Sequence, residues 1–342
     1  MLRFDLCFLE KFRFYASGIE FPSPGTSDNL VVRTTKGKIR GFQSTTSNGK
    51  KVSAWYGIPY ALPPVGDLRF RHPRPMESWE GTKRTKDPPN SCIQSDDTMW
   101  PGFPGTEVWA VNTPKSEDCL YLNVVVPYPH PKDAAVIVWI HGGGFWSGTT
   151  TLDQYDLRTM AAEEKIIMVG IQYRVASLGF LYLDSENVPG NAGMFDQLMA
   201  IQWVKDNIAA FGGDPDRVTL FGESAGSMAV NFHLVSPQSR GLFHGAILQS
   251  GTALGPYTAP RSPPGYYTTK LAEAAGCGEK DALECLRTLP ARKLYLHLLL
   301  FIFRFIQLRL PVLFLIVVNH LRLLPQYLIL ILDGRSEHNA HM

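Results

Sequence analysis

The chain has 342 residues, 45% of them hydrophobic and 19% charged, with a formal net charge of +2. That length suits one large α/β domain or two ordinary ones. The near-neutral balance argues against a nucleic-acid partner and leaves a small substrate open.

Residues 1–29 have no clear assignment. Their apolar residues are interrupted by Asp5, Glu10, Lys11 and Arg13, so no uninterrupted signal-peptide core is present. Residues 30–43, LVVRTTKGKIRGFQ, alternate and turn at Lys36-Gly37, which predicts a hairpin. KVSAWYGIPYALPPVGDLRF reads as a strand running into a proline-rich loop. Apolar strands are predicted at 119–127, 134–140 and 165–174. Residues 193–210 predict an amphipathic helix, with Leu198 and Ile201 on one face and Gln202 and Lys205 on the other. A short strand follows at Val218–Phe221, then a helix at Ala225–Leu234 and a further strand at 245–251. Strands alternating with helices imply a mainly parallel central sheet with helices on its faces.

Two glycine-rich turns carry the chemistry. Gly222-Glu223-Ser224-Ala225-Gly226 matches G-x-S-x-G between a predicted strand and a predicted helix. A serine on such a turn has its hydroxyl pushed into the open. The following helix aims its free N–H groups at any oxyanion that develops there. Taken alone, the pentapeptide also fits a helix N-cap serine. The second turn, HGGGFWSG (141–148), follows the strand ending at Ile140. Consecutive glycines expose backbone N–H groups and allow close approach, so this loop is placed to supply the other half of an oxyanion hole. The histidines, His141 included, show no metal-ligand spacing, and there is no zinc-type C-x-x-C. No metal and no cofactor is expected. Cys92 and Cys119 flank a loop, Cys277 and Cys285 flank a short polar link between two helical patterns, and Cys7 is left over. This placement favours two local pairs over five free thiols.

SEDCLYLNVVVP, VIVWIHGGGFWSG, GNAGMFDQLMAIQWVKDNIAAFGGDPDRVTLFGESAGS and AILQSGT resemble the type-B carboxylesterase/cholinesterase family of α/β-hydrolases. The loop CIQSDDTMWPGFPGTEVWAVNTPKSEDC resembles the corresponding loop of acetylcholinesterases. The resemblance runs from about residue 30 to about residue 292. It implies an α/β-hydrolase fold and a serine esterase that forms an acyl-enzyme. It matches Ser224 to the nucleophile and Gly143, Gly144 and Ala225 to the oxyanion-hole donors. Glu223 matches the acidic residue of the gorge floor, Trp109 the choline-holding tryptophan, Tyr155 a tyrosine near the choline site and Asp97 the acidic rim residue. An indole face is a natural partner for a quaternary ammonium, which cannot donate a hydrogen bond. Cys92–Cys119 and Cys277–Cys285 match two family disulfides. The implied partner is a small, cationic ester, with a homo-oligomer for the full-length form. The implied location is extracellular or at the cell surface. Ser95 and Trp146 depart from common rim tyrosines, and Tyr257 from a tryptophan of the acyl pocket.

In this fold the triad order is serine, acid, histidine. His233, His244, His297, His320, His338 and His341 follow Ser224, and none sits in anything like the family's histidine segment. The expectation is a chain lacking the triad acid and histidine, a fold truncated on its C-terminal side. The tail 293–342 looks foreign: Cys285 to Leu332 contains no aspartate or glutamate. The favoured reading is a premature end in the gene model with non-coding sequence translated; a membrane anchor is the alternative. The longest uncharged apolar stretch, Leu310–Asn319, is about half the roughly 20 residues a spanning helix needs. Two further readings stand beside the cholinesterase-like hydrolase. One is a general carboxylesterase, and the other a non-catalytic adhesion or binding protein of the same fold.

Overall fold

The computed structural model describes residues 30–95, 102–254, 263, 265–278 and 281–294. The segment 1–29 with Cys7, Asp97, Tyr257 and the tail beyond Leu294 lie outside the described residues.

The predicted hairpin forms. Val31–Arg33 pairs antiparallel with Lys38–Arg40, and Thr34 N donates to Gly37 O across the turn at 2.9 Å. Thr82–Arg84 adds in parallel to the other side of Lys38–Arg40, which completes a small three-stranded sheet.

The main sheet has seven strands. Their order is Gly245–Gln249, Gly213–Glu223, Ala134–Ile140, Ile167–Ile171, Tyr121–Pro127, Lys51–Pro59 and Phe42–Thr45. The first four run parallel to one another. The last three pairings are antiparallel, so the sheet is mixed, and its parallel part is the part that ends at the site. Parallel neighbours need a crossover, usually a helix. Leu157–Glu164 supplies the first, Ala176–Phe180 and Ala192–Asn207 the second, and Ala225–Val235 the third.

The central strands are apolar almost throughout, as expected for strands covered on both faces. Successive side chains point to opposite faces, and the core divides accordingly. Val124, Val126, Val136, Val138 and Ile140 pack with Ile201 and Val204 of one helix and Ala229 and Val230 of another. Val125, Trp139 and Met168 pack on the opposite face with Leu157 and Ala161.

The long helix is Ala192–Asn207, continued by a tighter turn at Ile208–Phe211. Its buried side carries three polar residues, Asp196, Gln197 and Asn207. Asp196 accepts from Arg174 Nε at 2.8 Å and Nη2 at 2.7 Å, with both side chains buried. Removing one partner of such a pair costs about 3–5 kcal/mol, because the other charge is left buried and unpaired. The pair pins the first turns of this helix to the segment that follows the strand Ile167–Ile171.

Both cysteine pairs are bonded, Cys92–Cys119 and Cys277–Cys285, with Cα separations of 5.1 and 5.7 Å. Arg69 ties the first disulfide loop to the end of the helix Ala282–Thr288, which carries Cys285. Its Nε donates to Glu117 Oε1 at 2.7 Å, and its Nη1 donates to the carbonyls of Arg287 and Leu289, each at 2.7 Å. A guanidinium suits this junction because one planar group serves a carboxylate and several carbonyls at once. At one margin of the main sheet, Gly245–Gln249 has no strand beyond it among the described residues, and its Ile247 and Leu248 are exposed.

Candidate active site

Ser224 sits between the end of the strand Gly213–Glu223 and the start of the helix Ala225–Val235, with φ 55° and ψ −120°. A non-glycine residue there is strained by about 1–3 kcal/mol and persists only where its surroundings impose it. The surroundings do. Ser224 N donates to Gln249 O at 2.8 Å, and Met228 N donates to Ser224 O at 3.0 Å. A Cβ on Gly226 would lie 2.1 Å from Ile140 O, and one on Gly222 would lie 2.3 Å from Gly226 C. These two glycines therefore let helix and strand close to a distance no side chain permits. The serine is half-buried rather than sealed.

The loop 141–148 lies against this turn: a Cβ on Gly142 would be 3.2 Å from Ser224 Cβ. Its backbone orientation follows from two sets of hydrogen bonds. His141 Nδ1 donates to Gly142 O at 2.9 Å, while Trp146 N and Ser147 N donate to Gly143 O at 3.1 and 3.0 Å. In a trans peptide the N–H points opposite to the carbonyl. The N–H of Gly143 is thus turned away from His141, and that of Gly144 away from the 146–147 turn. Neither has an acceptor among the described residues, and Ala225 N opens a helix where no intrahelical acceptor exists. Gly143 and Gly144 hold φ of 103° and 64°, which side chains rarely adopt. Gln94 buttresses the loop from behind, donating to Gly148 O at 2.8 Å and accepting from Gly148 N at 2.7 Å.

Aromatic rings line the side next to Glu223. Trp109 and Tyr155 meet edge-on at 6.3 Å between centroids, Tyr155 and Trp139 lie at 4.9 Å, and Trp139 and Phe221 at 4.8 Å. Trp109 is 49% exposed, so its indole is available to a ligand. Burial pushes the Glu223 carboxyl above the usual range. The Tyr155 phenol is pushed up to about 12, first by burial and then by the charge of Glu223, which places the two groups in one electrostatic neighbourhood. A Cβ on Gly142 would be 3.0 Å from Glu223 Oε2, which joins this cluster to the loop. Sequence reasoning passed over Trp139 and Phe221, which support Tyr155. They are register partners on neighbouring strands, and only the pairing reveals it.

No described histidine bonds to Ser224 Oγ. His233 is nine residues along the helix, about 14 Å at 1.5 Å per residue, and is bonded to Ser239 Oγ at 2.8 Å and Gln197 Oε1 at 3.0 Å. His244 precedes the strand Gly245–Gln249, whose far end pairs with Glu223, so it lies about 15 Å away at the opposite end of the sheet. His141 stacks on Tyr173 at 4.3 Å, and its Nε2 is buried without a partner among the described residues. His72 and His130 contact Gly190 O and Ser53 Oγ.

Burial pushes both His141 and His233 down to about 4. The unfolded chain protonates them near 6.5, so between about pH 6.5 and 4 the unfolded state binds more protons. Stability is therefore lost as pH falls through that window. Urea unfolding at pH 7 and pH 5 should show a loss of about 2 kcal/mol per histidine. His233→Gln should remove about 2 kcal/mol of that pH dependence; an unchanged pH dependence would refute the assignment.

Among the described residues no helix is long and apolar enough to cross a membrane, and no group of three or more His, Cys, Asp and Glu side chains could hold a metal ion. The family model described as "Carboxylesterase family" matches residues 28–326 and so runs beyond residue 292, where the sequence places its boundary. The chain is 44% identical over 274 residues to a cholinesterase of Mus musculus, a match covering 80% of this chain and 45% of that protein. The chain thus spans about half the length of the curated relative it matches. With the serine turn, the glycine loop beside it and a family match over most of its length, the chain belongs to the carboxylesterase family.

Proposed function

We propose that this chain carries the nucleophile half of a secreted or cell-surface serine esterase acting on choline esters. Ser224 is the nucleophile, and the N–H groups of Gly143, Gly144 and Ala225 form the oxyanion hole. Attack by Ser224 Oγ on the ester carbonyl expels the alcohol and leaves an acyl-enzyme, which water then hydrolyses. The observation that carries this reading is the strained Ser224 backbone held directly beside a glycine loop with free N–H groups. Trp109, Tyr155 and Glu223 form the seat for a trimethylammonium group, supported by the open indole face and the neighbouring carboxylate. Asp97 is assigned to the rim by the resemblance.

Binding of choline and of its neutral isostere 3,3-dimethylbutanol to residues 1–342 tests the cationic seat. A desolvated cation–π contact is worth about 2 kcal/mol. Trp109→Ala should therefore weaken choline by roughly tenfold or more, and the neutral alcohol by only a few-fold. Equal losses for both would favour the general carboxylesterase, the second reading. The exposed Trp109 and the buried-shifted Glu223 beside Tyr155 weigh against it.

A further inference from the structure

The small sheet carries a concentration of charge that the near-neutral net charge conceals. Arg33, Lys38, Arg40 and Arg84 all lie on its outward face, because Ile39 between Lys38 and Arg40 is fully buried. Arg33 is the cross-strand partner of Lys38, and Arg40 is the register partner of Arg84. Strands are about 4.8 Å apart and same-face residues about 7 Å apart, so four cations stand on a grid roughly 10 Å by 7 Å. Lys36 extends it at the hairpin turn, and Lys83 lies 4.5 Å from the Trp79 ring at its margin.

Like charges placed directly opposite on a sheet are destabilising. Here none of these cations forms an ion pair among the described residues. Glu77 and Glu80 flank the patch in sequence but do not pair with it either. Charged residues often guard sheet edges against pairing. Edge protection would place them on the outer strands, whereas two of the four stand on the middle one.

We propose that this face docks a sulfated polysaccharide. Three of the four cations are arginines, whose planar fork matches the paired oxygens of a sulfate. None of the exposed large apolar residues lies on this sheet, so the face lacks the wedges that membrane-surface elements insert. The two disulfides belong to an oxidising compartment, where sulfated polysaccharides are the abundant polyanions.

The test measures binding of residues 1–342 to heparin across a salt series. The patch variant is Arg33→Gln, Lys38→Gln, Arg40→Gln and Arg84→Gln together. The control variant removes four exposed cations elsewhere, Lys51, Lys132, Lys165 and Arg292, each to Gln, for the same change in net charge. Counterion release gives about 0.7–0.9 of slope in log K against log salt per contact. The patch variant should lose about 3 of that slope, and the control little. The pair variants Arg33→Gln/Lys38→Gln and Arg40→Gln/Arg84→Gln should each lose about half, which keeps the test valid if the fourfold change perturbs folding. Equal losses in patch and control variants would overturn the proposal. So would patch-dependent binding to phosphatidylserine vesicles or duplex DNA that exceeds binding to heparin.

Discussion

Residues 1–342 are expected to hydrolyse a choline ester no faster than their own Ser224→Ala variant. The serine is half-buried and set on a strained turn, but a neutral hydroxyl is a weak nucleophile without a base in reach. His233 is occupied at the far end of the serine's own helix, and His244 lies at the wrong end of its neighbouring strand. Among the described residues no histidine reaches Ser224 Oγ. In a serine hydrolase such as subtilisin, loss of the base costs about 10⁶-fold in rate, and a deficit of that order is expected here. Initial rates for the two proteins, at matched concentration and with folding checked by circular dichroism, decide it. Rapid turnover that vanishes in Ser224→Ala would mean that a base lies in the chain.

Gly226→Ala is expected to cost about 3 kcal/mol or more, at the upper end of overpacking effects. The new methyl would fall 2.1 Å from Ile140 O and 2.9 Å from His141 O. Both are backbone atoms at the end of a central strand, so no side chain can rotate to relieve the clash. The helix must lift, and it carries Ser224 away from the glycine loop as it does so. The matched control is Gly278→Ala, where a Cβ meets nothing within 4 Å and backbone φ is ordinary. Thermal unfolding should show a fall of many degrees for the first and almost none for the second. Equal melting temperatures for Gly226→Ala and the parent would contradict the close approach described above.

The parts of this site that were legible in the sequence are those in which local order encodes geometry. A glycine on each side of Ser224, flanked by an apolar run and a helical pattern, specifies a sharp turn whatever the rest of the chain does. The strand at 134–140 and the reversal at Lys36-Gly37 were legible for the same reason. The helix Leu157–Glu164 was not anticipated, although Asp156 caps it by accepting from Arg158 N at 3.0 Å. Its apolar face is only Leu157, Ala161 and Ala162, too small to register as a stripe. The strand before the serine was expected at Val218–Phe221 and extends over Gly213–Glu223, because pairing with Ala134 draws in a polar segment. Asp196 and Gln197 would have been placed on the wet side of their helix by polarity alone. Their partners, Arg174 and His233, are 22 and 36 residues away, and no window along the chain contains that information. His141 was legible as part of a glycine motif, but its work of turning the Gly143 N–H outward depends on a carbonyl whose direction only the folded loop fixes.

The margin of the main sheet that no described strand covers has a direction. Gly245–Gln249 runs parallel to the strand that leads into Ser224, and its last residue holds the Ser224 N–H. A strand joined to that margin through a helical crossover would run the same way, since a crossover returns the chain to the end where the first strand began. Its exit loop would then open at the end where Ser224 stands, in keeping with the rule that open α/β sheets gather their ligands at the carboxyl ends of the strands. A strand joined by a tight hairpin would run the other way and would deliver its exit loop to the opposite end, about 15 Å off. The margin therefore works as a one-way dock. Whatever lies down in parallel brings its exit loop to the serine, whereas a hairpin partner brings only its short turn there and sends its exit loop to the far end.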